Sequence, residues 1–83
     1  MKKITIYTTT VCPYCVRAKA LLSKKGLNYN EINVEDEQER NKMIEKAGGR
    51  RTVPQIFIGD YHVGGCDDLY ALEKEGKLDE LTS

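Results

Sequence analysis

Apolar and polar residues alternate near the start of the chain and then recur at helical spacing. In residues 3–8, Ile4 and Ile6 are separated by polar or aromatic neighbours, an alternation that predicts a β-strand. Over residues 13–25 the apolar positions recur every three or four residues, and Gly26 provides a stop, so we expect a helix there. The chain therefore begins with a strand followed by a helix.

The next segment repeats this order with less regular spacing. Residues 27–34 favour a second strand, although their alternation slips once. Residues 35–47 favour a second helix, because apolar residues recur at helical spacing and acidic residues crowd its first turns, where the helix dipole favours them. A pair of glycines then ends the helix.

The last third of the chain predicts a hairpin and a helix. Residues 55–63 contain two short apolar runs separated by Gly59 and Asp60, and glycine first in a two-residue loop is typical of a type II′ hairpin. A final helix is expected to begin with Cys66 or Asp67 as its cap, with the residues after Gly76 extending or covering its end.

This order of elements predicts an α/β fold. A strand, helix and strand form a β-α-β unit with parallel strands, and the hairpin completes a mixed four-stranded sheet. Three helices would flank the two faces of that sheet. We expect a single domain spanning residues 1–83, with the segment that follows the first strand at the edge where open α/β sheets place ligands.

Composition excludes several classes of function. The chain has 83 residues, 40% hydrophobic and 31% charged, which is typical of one soluble domain. Thirteen basic residues balance thirteen acidic ones, so we expect no nucleic-acid partner. No apolar run approaches the length of a membrane span or a signal segment. These features predict a cytoplasmic protein with no membrane partner, and we expect a monomer.

The three cysteines predict redox or metal chemistry. Cys12 and Cys15 form a Cys-x-x-Cys motif and leave an odd Cys66, which is a poor pattern for a secreted disulfide framework. A zinc site is the alternative, but it needs four ligands, and Cys66 and His62 do not supply a second ligand pair. We therefore expect no metal, and we expect His62 on the hairpin, either at the surface or partly packed, rather than beside Cys12.

The position of the cysteine pair favours a reactive thiol. Pro13 suits the first position of a helix, which places Cys12 at the cap, where unpaired amides and the helix dipole favour a thiolate. Cys15 lies three residues further along the same helix face, close enough to form a disulfide with Cys12.

Three separated motifs make the chain resemble the glutaredoxins, small proteins of the thioredoxin fold. They are Cys12-Pro13-Tyr14-Cys15, Thr52-Val53-Pro54 and Gly64-Gly65-Cys66-Asp67-Asp68. The closest likeness is to the small bacterial dithiol type. The resemblance implies a glutathione-dependent thiol–disulfide oxidoreductase that reduces disulfide-containing and glutathionylated proteins, with glutathione as co-substrate and no permanently bound cofactor.

The resemblance also implies roles for the two cysteines of the motif. Cys12 would attack the substrate disulfide, and Cys15 would resolve the mixed disulfide with a protein. A low pKa raises the thiolate fraction of Cys12 but lowers its nucleophilicity by a similar factor. The gain would lie in the later step, because a low-pKa sulfur is the better leaving group when glutathione attacks.

In the family, the proline of the second motif is cis and the residue before it pairs with glutathione through its backbone, like an added strand. The resemblance thus implies that Val53 binds by its backbone, that Thr52 lies beside it and that Pro54 shapes the floor of the site. The alternative is an ordinary trans proline at the start of a strand.

The third motif is implied to hold the γ-glutamyl end of glutathione. Gly65 would allow close approach, the backbone of Cys66 and Asp67 would take the carboxylate, and the Asp67 side chain would accept from the ammonium group. The alternative for Asp67 is a helix cap alone. For Cys66 we favour a buried or backbone role over a redox one.

Two further residues match family positions. Tyr14 would pack against glutathione, or instead contribute to the core. Arg40 would pair with the glycine carboxylate, or instead remain a solvated side chain. One departure concerns Thr9, which stands where the family often has a lysine, so one thiolate-supporting charge is missing from its usual place.

Two other functions compete with this interpretation. One is a redoxin reduced by thioredoxin reductase, which would not need the second and third motifs. The other is an iron–sulfur cluster carrier, in which Cys12 and glutathione from two subunits hold the cluster. Pro13 stiffens the loop and Cys15 offers a competing disulfide, and both disfavour the cluster.

Overall fold

The computed structural model describes residues 2–82. Within that range four strands and four helices follow one another along the chain. Their bounds are β1 (Ile4–Thr8), α1 (Pro13–Lys24), β2 (Asn30–Asn33), α2 (Glu37–Lys46), β3 (Gln55–Ile58), β4 (Tyr61–Gly64), α3 (Cys66–Lys74) and α4 (Lys77–Thr82).

The strands form one mixed sheet in the order β2-β1-β3-β4. β1 and β2 are parallel, whereas β3 is antiparallel to both β1 and β4. The predicted β-α-β unit and hairpin are thereby confirmed. The prediction of three helices was one short, because Gly76 adopts a φ of +75° and the chain beyond it forms the separate helix α4.

Each face of the sheet has its own apolar core, because successive strand residues point to opposite sides. Ile6 faces one core and Tyr7 the other. The larger core, between the sheet and α1, α3 and α4, consists of Ile4, Ile6, Ala18, Leu21, Leu22, Ile56, Ile58, Cys66, Leu69 and Leu78. The smaller core, beneath α2, consists of Tyr7, Val34, Met43, Ala47 and Phe57.

The second strand is shorter than the alternation predicts. It begins at Asn30 rather than near residue 27, because the end of α1 uses the intervening backbone. Gly26 has a φ of +72°, and the amide of Leu27 donates to the carbonyl of Leu22 at 3.0 Å. This Schellman-type ending occupies the Leu27 amide, so the strand starts further on.

The start of α3 also differs from the prediction. Gly65, not Cys66 or Asp67, is the cap residue, and its amide donates to the Asp68 carboxylate at 2.9 Å. The physical reason is that an acidic side chain at the third helical position reaches back to the cap amide, as in one half of a capping box. Cys66 and Asp67 therefore lie in the first turn of the helix itself.

Candidate active site

Cys12 is the cap residue of α1, four residues after the end of β1 at Thr8. Its backbone is extended, with φ −153° and ψ 96°, and Pro13 is the first helical residue. The amide of Cys15 donates to the Cys12 sulfur at 3.1 Å. A backbone donor in the first turn of the helix thus points at the sulfur, as the sequence predicts.

The two cysteines of the motif are joined as a disulfide, with their Cα atoms 5.2 Å apart. They differ in accessibility: Cys12 is half-buried, whereas only 1% of Cys15 is exposed. An incoming thiolate would therefore reach the Cys12 sulfur more easily than the Cys15 sulfur.

An open cleft of about 290 Å³ lies between the turn that carries the disulfide, the loop before β3 and the start of α3. Its lining residues are Tyr14, Arg50, Thr52, Val53, Pro54, Gly65, Cys66, Asp67 and Asp68. Seven of the eight residues implied to bind glutathione are among them. The fold therefore brings parts of all three motifs to one cleft, although they lie up to 54 positions apart between Tyr14 and Asp68.

The floor of the cleft has the backbone geometry that the resemblance implies. The peptide bond between Val53 and Pro54 is cis. Pro54 is buried and Val53 half-buried, while Thr52 is exposed. The backbone before the proline is thus accessible from the cleft.

Arg40 does not line the cleft; it is an exposed residue of α2. Arg50 lines the cleft, and its guanidinium lies 3.5 Å from the Asp68 carboxylate. Neither Arg50 nor Asp68 was among the predicted site residues. The sequence offered one signal for each: Arg50 stands two positions before Thr52, and Asp68 stands three positions after Gly65.

The approach of Asp68 to its partners requires glycine at position 64. Gly64 has a φ of +113°, which side chains other than glycine rarely adopt. A Cβ atom there would collide with the Asp68 carboxylate and would lie 3.0 Å from the Arg50 guanidinium. Gly64 thus allows Asp68 to reach both Gly65 and Arg50.

Tyr14 lies at the rim of the cleft, with 55% of its surface exposed, rather than in the core. The Arg17 guanidinium carbon lies 5.9 Å from the centre of the Tyr14 ring and 5.7 Å from that of Tyr70. These cation–π contacts hold a positive charge beside the first turn of α1.

Cys66 is a free thiol with only 4% of its surface exposed, and it packs in the larger core. Burial raises the pKa of this thiol, and the Asp67 carboxylate raises it further, while Arg17 opposes them. A thiol in these surroundings is poorly suited to be a nucleophile.

Residues 2–82 contain neither a cluster of metal ligands nor a membrane-spanning helix. No three His, Cys, Asp or Glu side chains in that range are grouped as metal ligands. No helix in the same range combines the length and apolar character needed to cross a membrane.

Comparison with known proteins places the chain among sequences of one family. The glutaredoxin family profile matches residues 4–63. The chain is 60% identical to glutaredoxin 1 of Rickettsia prowazekii over 80 residues, covering 94% of this chain and 84% of that protein. It is 52% identical to glutaredoxin 3 of Escherichia coli K12 over 81 residues, covering 98% of each.

Solved structures agree with this result. The solution structure of glutaredoxin from Brucella melitensis has a TM-score of 0.86 and 59% identity, covering 99% of this chain and 89% of that one. The crystal structure of a buckwheat glutaredoxin–glutathione complex has a TM-score of 0.88 and 30% identity, covering 98% and 76%.

The sheet order and the cysteine pair at the start of α1 define a thiol–disulfide oxidoreductase of the thioredoxin fold. The sequence matches narrow this class of protein to one family. The chain belongs to the glutaredoxin family.

Proposed function

We propose that this protein uses glutathione to reduce protein disulfides and mixed disulfides between proteins and glutathione. The observation that carries the proposal is the cleft, in which Tyr14 of the redox motif, the Val53–Pro54 cis peptide and the first turn of α3 meet. A peptide of glutathione's size with two carboxylates and one ammonium group matches this combination of backbone, basic and acidic groups.

Reduction of a glutathionylated protein needs only Cys12. Its thiolate attacks the glutathione sulfur, the mixed S–S bond breaks, and the protein sulfur leaves and takes up a proton. A second glutathione thiolate then attacks the sulfur of the glutathione bound to Cys12. The new bond forms glutathione disulfide, and Cys12 leaves as a thiolate. The net reaction converts the mixed disulfide and one reduced glutathione into the protein thiol and one glutathione disulfide.

Reduction of a protein disulfide uses both cysteines. Cys12 attacks one sulfur of the substrate, and Cys15 then attacks Cys12 in the mixed disulfide, releasing the substrate as a dithiol. The resulting Cys12–Cys15 disulfide takes two electrons from two glutathiones, which leave as glutathione disulfide. The bonded pair in the structure and the low exposure of Cys15 support this order of attack.

Glutathione would bind along the cleft from the disulfide to α3. The Val53 backbone would pair with its cysteine residue, and the first-turn amides of Cys66 and Asp67 would receive the γ-glutamyl carboxylate, since such amides have no acceptor within the helix. The Asp67 side chain would accept from the ammonium group. Arg50 lies in the cleft and would neutralise a carboxylate, the role that the sequence suggested for Arg40.

The test compares two reductants and two matched variants. With NADPH, glutathione and glutathione reductase, the wild type should reduce a glutathionylated peptide, whereas with NADPH and thioredoxin reductase it should not. Cys12→Ser should abolish turnover, whereas Cys15→Ser should keep reduction of the mixed disulfide and lose reduction of a protein disulfide. Efficient turnover with thioredoxin reductase alone, or retained activity in Cys12→Ser, would contradict the proposal.

The proposed chemistry also bears on location and assembly. A reaction driven by reduced glutathione requires a reducing compartment, so we propose a cytoplasmic protein. Each step above uses cysteines of a single chain, so we propose that the monomer is the active form.

A further inference from the structure

Gln55, the first residue of β3, is completely buried although its side chain is polar. Its amide nitrogen donates to the backbone carbonyl of Thr52 at 3.0 Å and lies 3.2 Å from the Thr52 hydroxyl. A carbonyl oxygen can only accept, so the nitrogen side of the Gln55 amide must face Thr52. The Gln55 oxygen must then face the other way.

His62 of β4 completes the chain of contacts. Its Nε2 atom lies 2.7 Å from the Gln55 side-chain oxygen. Because that oxygen can only accept, Nε2 must carry the proton and donate it. The His62 ring also stacks on Phe57, with ring centres 4.7 Å apart and planes 20° apart, which fixes its orientation.

These contacts connect the hairpin to the floor of the cleft. Residues 52–54 lie between α2 and β3, before the first ladder pair of β1 and β3, which joins Tyr7 and Gln55. The Thr52 carbonyl is held by a buried amide that is itself held by a histidine. This carbonyl is part of the Thr52–Val53 peptide bond, and both of these residues line the cleft.

We propose that His62 and Gln55 are positioning residues that orient the Thr52–Val53 backbone for binding glutathione. The inference rests on the proposed function, since it assumes that this backbone contacts glutathione. Neither side chain needs to touch the ligand. Loss of the His62 donor would leave the buried side-chain oxygen of Gln55 without a hydrogen bond. The Gln55 side chain would then turn or shift to find another partner.

The first test removes the donor and keeps the ring. In His62→Phe, stacking on Phe57 remains possible, but nothing donates to Gln55. From the usual free-energy contribution of a neutral hydrogen bond, we expect the half-saturating glutathione concentration to rise about threefold to tenfold. The maximal rate should change less than about twofold. Tyr61→Phe, which removes a hydroxyl from the neighbouring exposed residue, is the matched control and should behave like the wild type.

The conservative variant His62→Gln separates the hydrogen bond from a general structural effect. Its amide can donate to Gln55, so half-saturation should return to within about twofold of the wild-type value. An unchanged half-saturating concentration in His62→Phe would overturn the proposal. So would a lower maximal rate at unchanged half-saturation, or a defect in His62→Gln as large as that in His62→Phe.

A spectroscopic readout distinguishes this inference from the proposed function. Long-range ¹H–¹⁵N correlation spectra of the wild type at neutral pH should show the His62 proton on Nε2. A proton on Nδ1 with Nε2 bare would overturn the positioning network even if glutathione supports turnover. Failure of glutathione to support turnover in the wild type, with the proton on Nε2, would instead overturn the proposed function and the positioning role that depends on it.

Discussion

Cys12 and Cys66 both lie at the start of a helix, yet their surroundings give them opposite chemistry. Cys12 is the cap of α1, is half-buried, and accepts a hydrogen bond from the Cys15 amide. Cys66 is the first residue of α3, and its side chain turns into the larger core. Burial raises the pKa of the Cys66 thiol.

The comparison shows that proximity to a helix N-terminus does not by itself make a thiol reactive. A cap side chain faces the unpaired amides of the first turn, which favour its charged form. A core side chain one position later loses its contact with water, which disfavours the charged form. The sequence contains both cysteines near helix starts, but only the packing separates a nucleophile from a buried thiol.

The largest expected difference between Cys12 and Cys66 is in the rate at which each thiol is alkylated. In the reduced protein at neutral pH, iodoacetamide should modify Cys12 more than about a thousandfold faster than Cys66, because modification of Cys66 requires the core to open. Peptide mapping by mass spectrometry after timed quenching measures both rates in one sample. Comparable rates at the two sites would break the comparison.

The sequence predicted the elements well where local chemistry fixes them. Gly59 has a φ of +58° and no described non-glycine residue has a positive φ, which fits the predicted type II′ turn. The ends of β2 and the cap of α3 were wrong because they depend on which backbone amides are already engaged. The Leu27 amide is bonded to the preceding helix, and the Gly65 amide to Asp68.

A second prediction concerns stability. Cys66→Ser should lower the free energy of unfolding by about 1–3 kcal/mol, because it buries a hydroxyl without an assured partner. The matched variant Cys12→Ser should change it by less than about 0.5 kcal/mol, since serine is a good cap and the site is partly exposed. Urea unfolding under reducing conditions measures both, and equal losses would contradict the assigned environments.

The smallest expected effect is on the pH dependence of stability. Because burial raises the folded-state pKa of Cys66 above that of an ordinary thiol, the unfolded thiol ionises first as pH rises. The stabilisation by the buried neutral thiol is complete below the unfolded-state pKa and is lost as pH rises through the folded-state pKa. The stability difference between the wild type and Cys66→Ala should therefore decline above about pH 9.

Denaturant curves of the two proteins at matched pH values test this effect. Other titrating groups, such as lysines and tyrosines, are common to both proteins, so their contributions cancel in the difference. A difference that stays constant, or grows, above pH 9 would contradict a raised pKa for Cys66.

The candidate site was less predictable than the fold, for a geometric reason. Motif residues such as Val53 and Asp67 line the cleft because the sheet order brings the loop before β3 close to the start of α3. Arg50 could not be placed from sequence, because its long side chain reaches the Asp68 carboxylate, whose position depends on Gly64. Arg40 has the same chemistry but lies on α2, outside the cleft lining.

The central claim is that the start of α1 stabilises the Cys12 thiolate, and the rate of Cys12 alkylation against pH tests it most directly. Cys15→Ser is the suitable background, because it removes the competing thiol and keeps the amide that donates to Cys12. Half-maximal reactivity should fall below about pH 7.5, as for thiols at helix N-termini. Half-maximal reactivity near the ordinary thiol value of about 8.5 would contradict the claim.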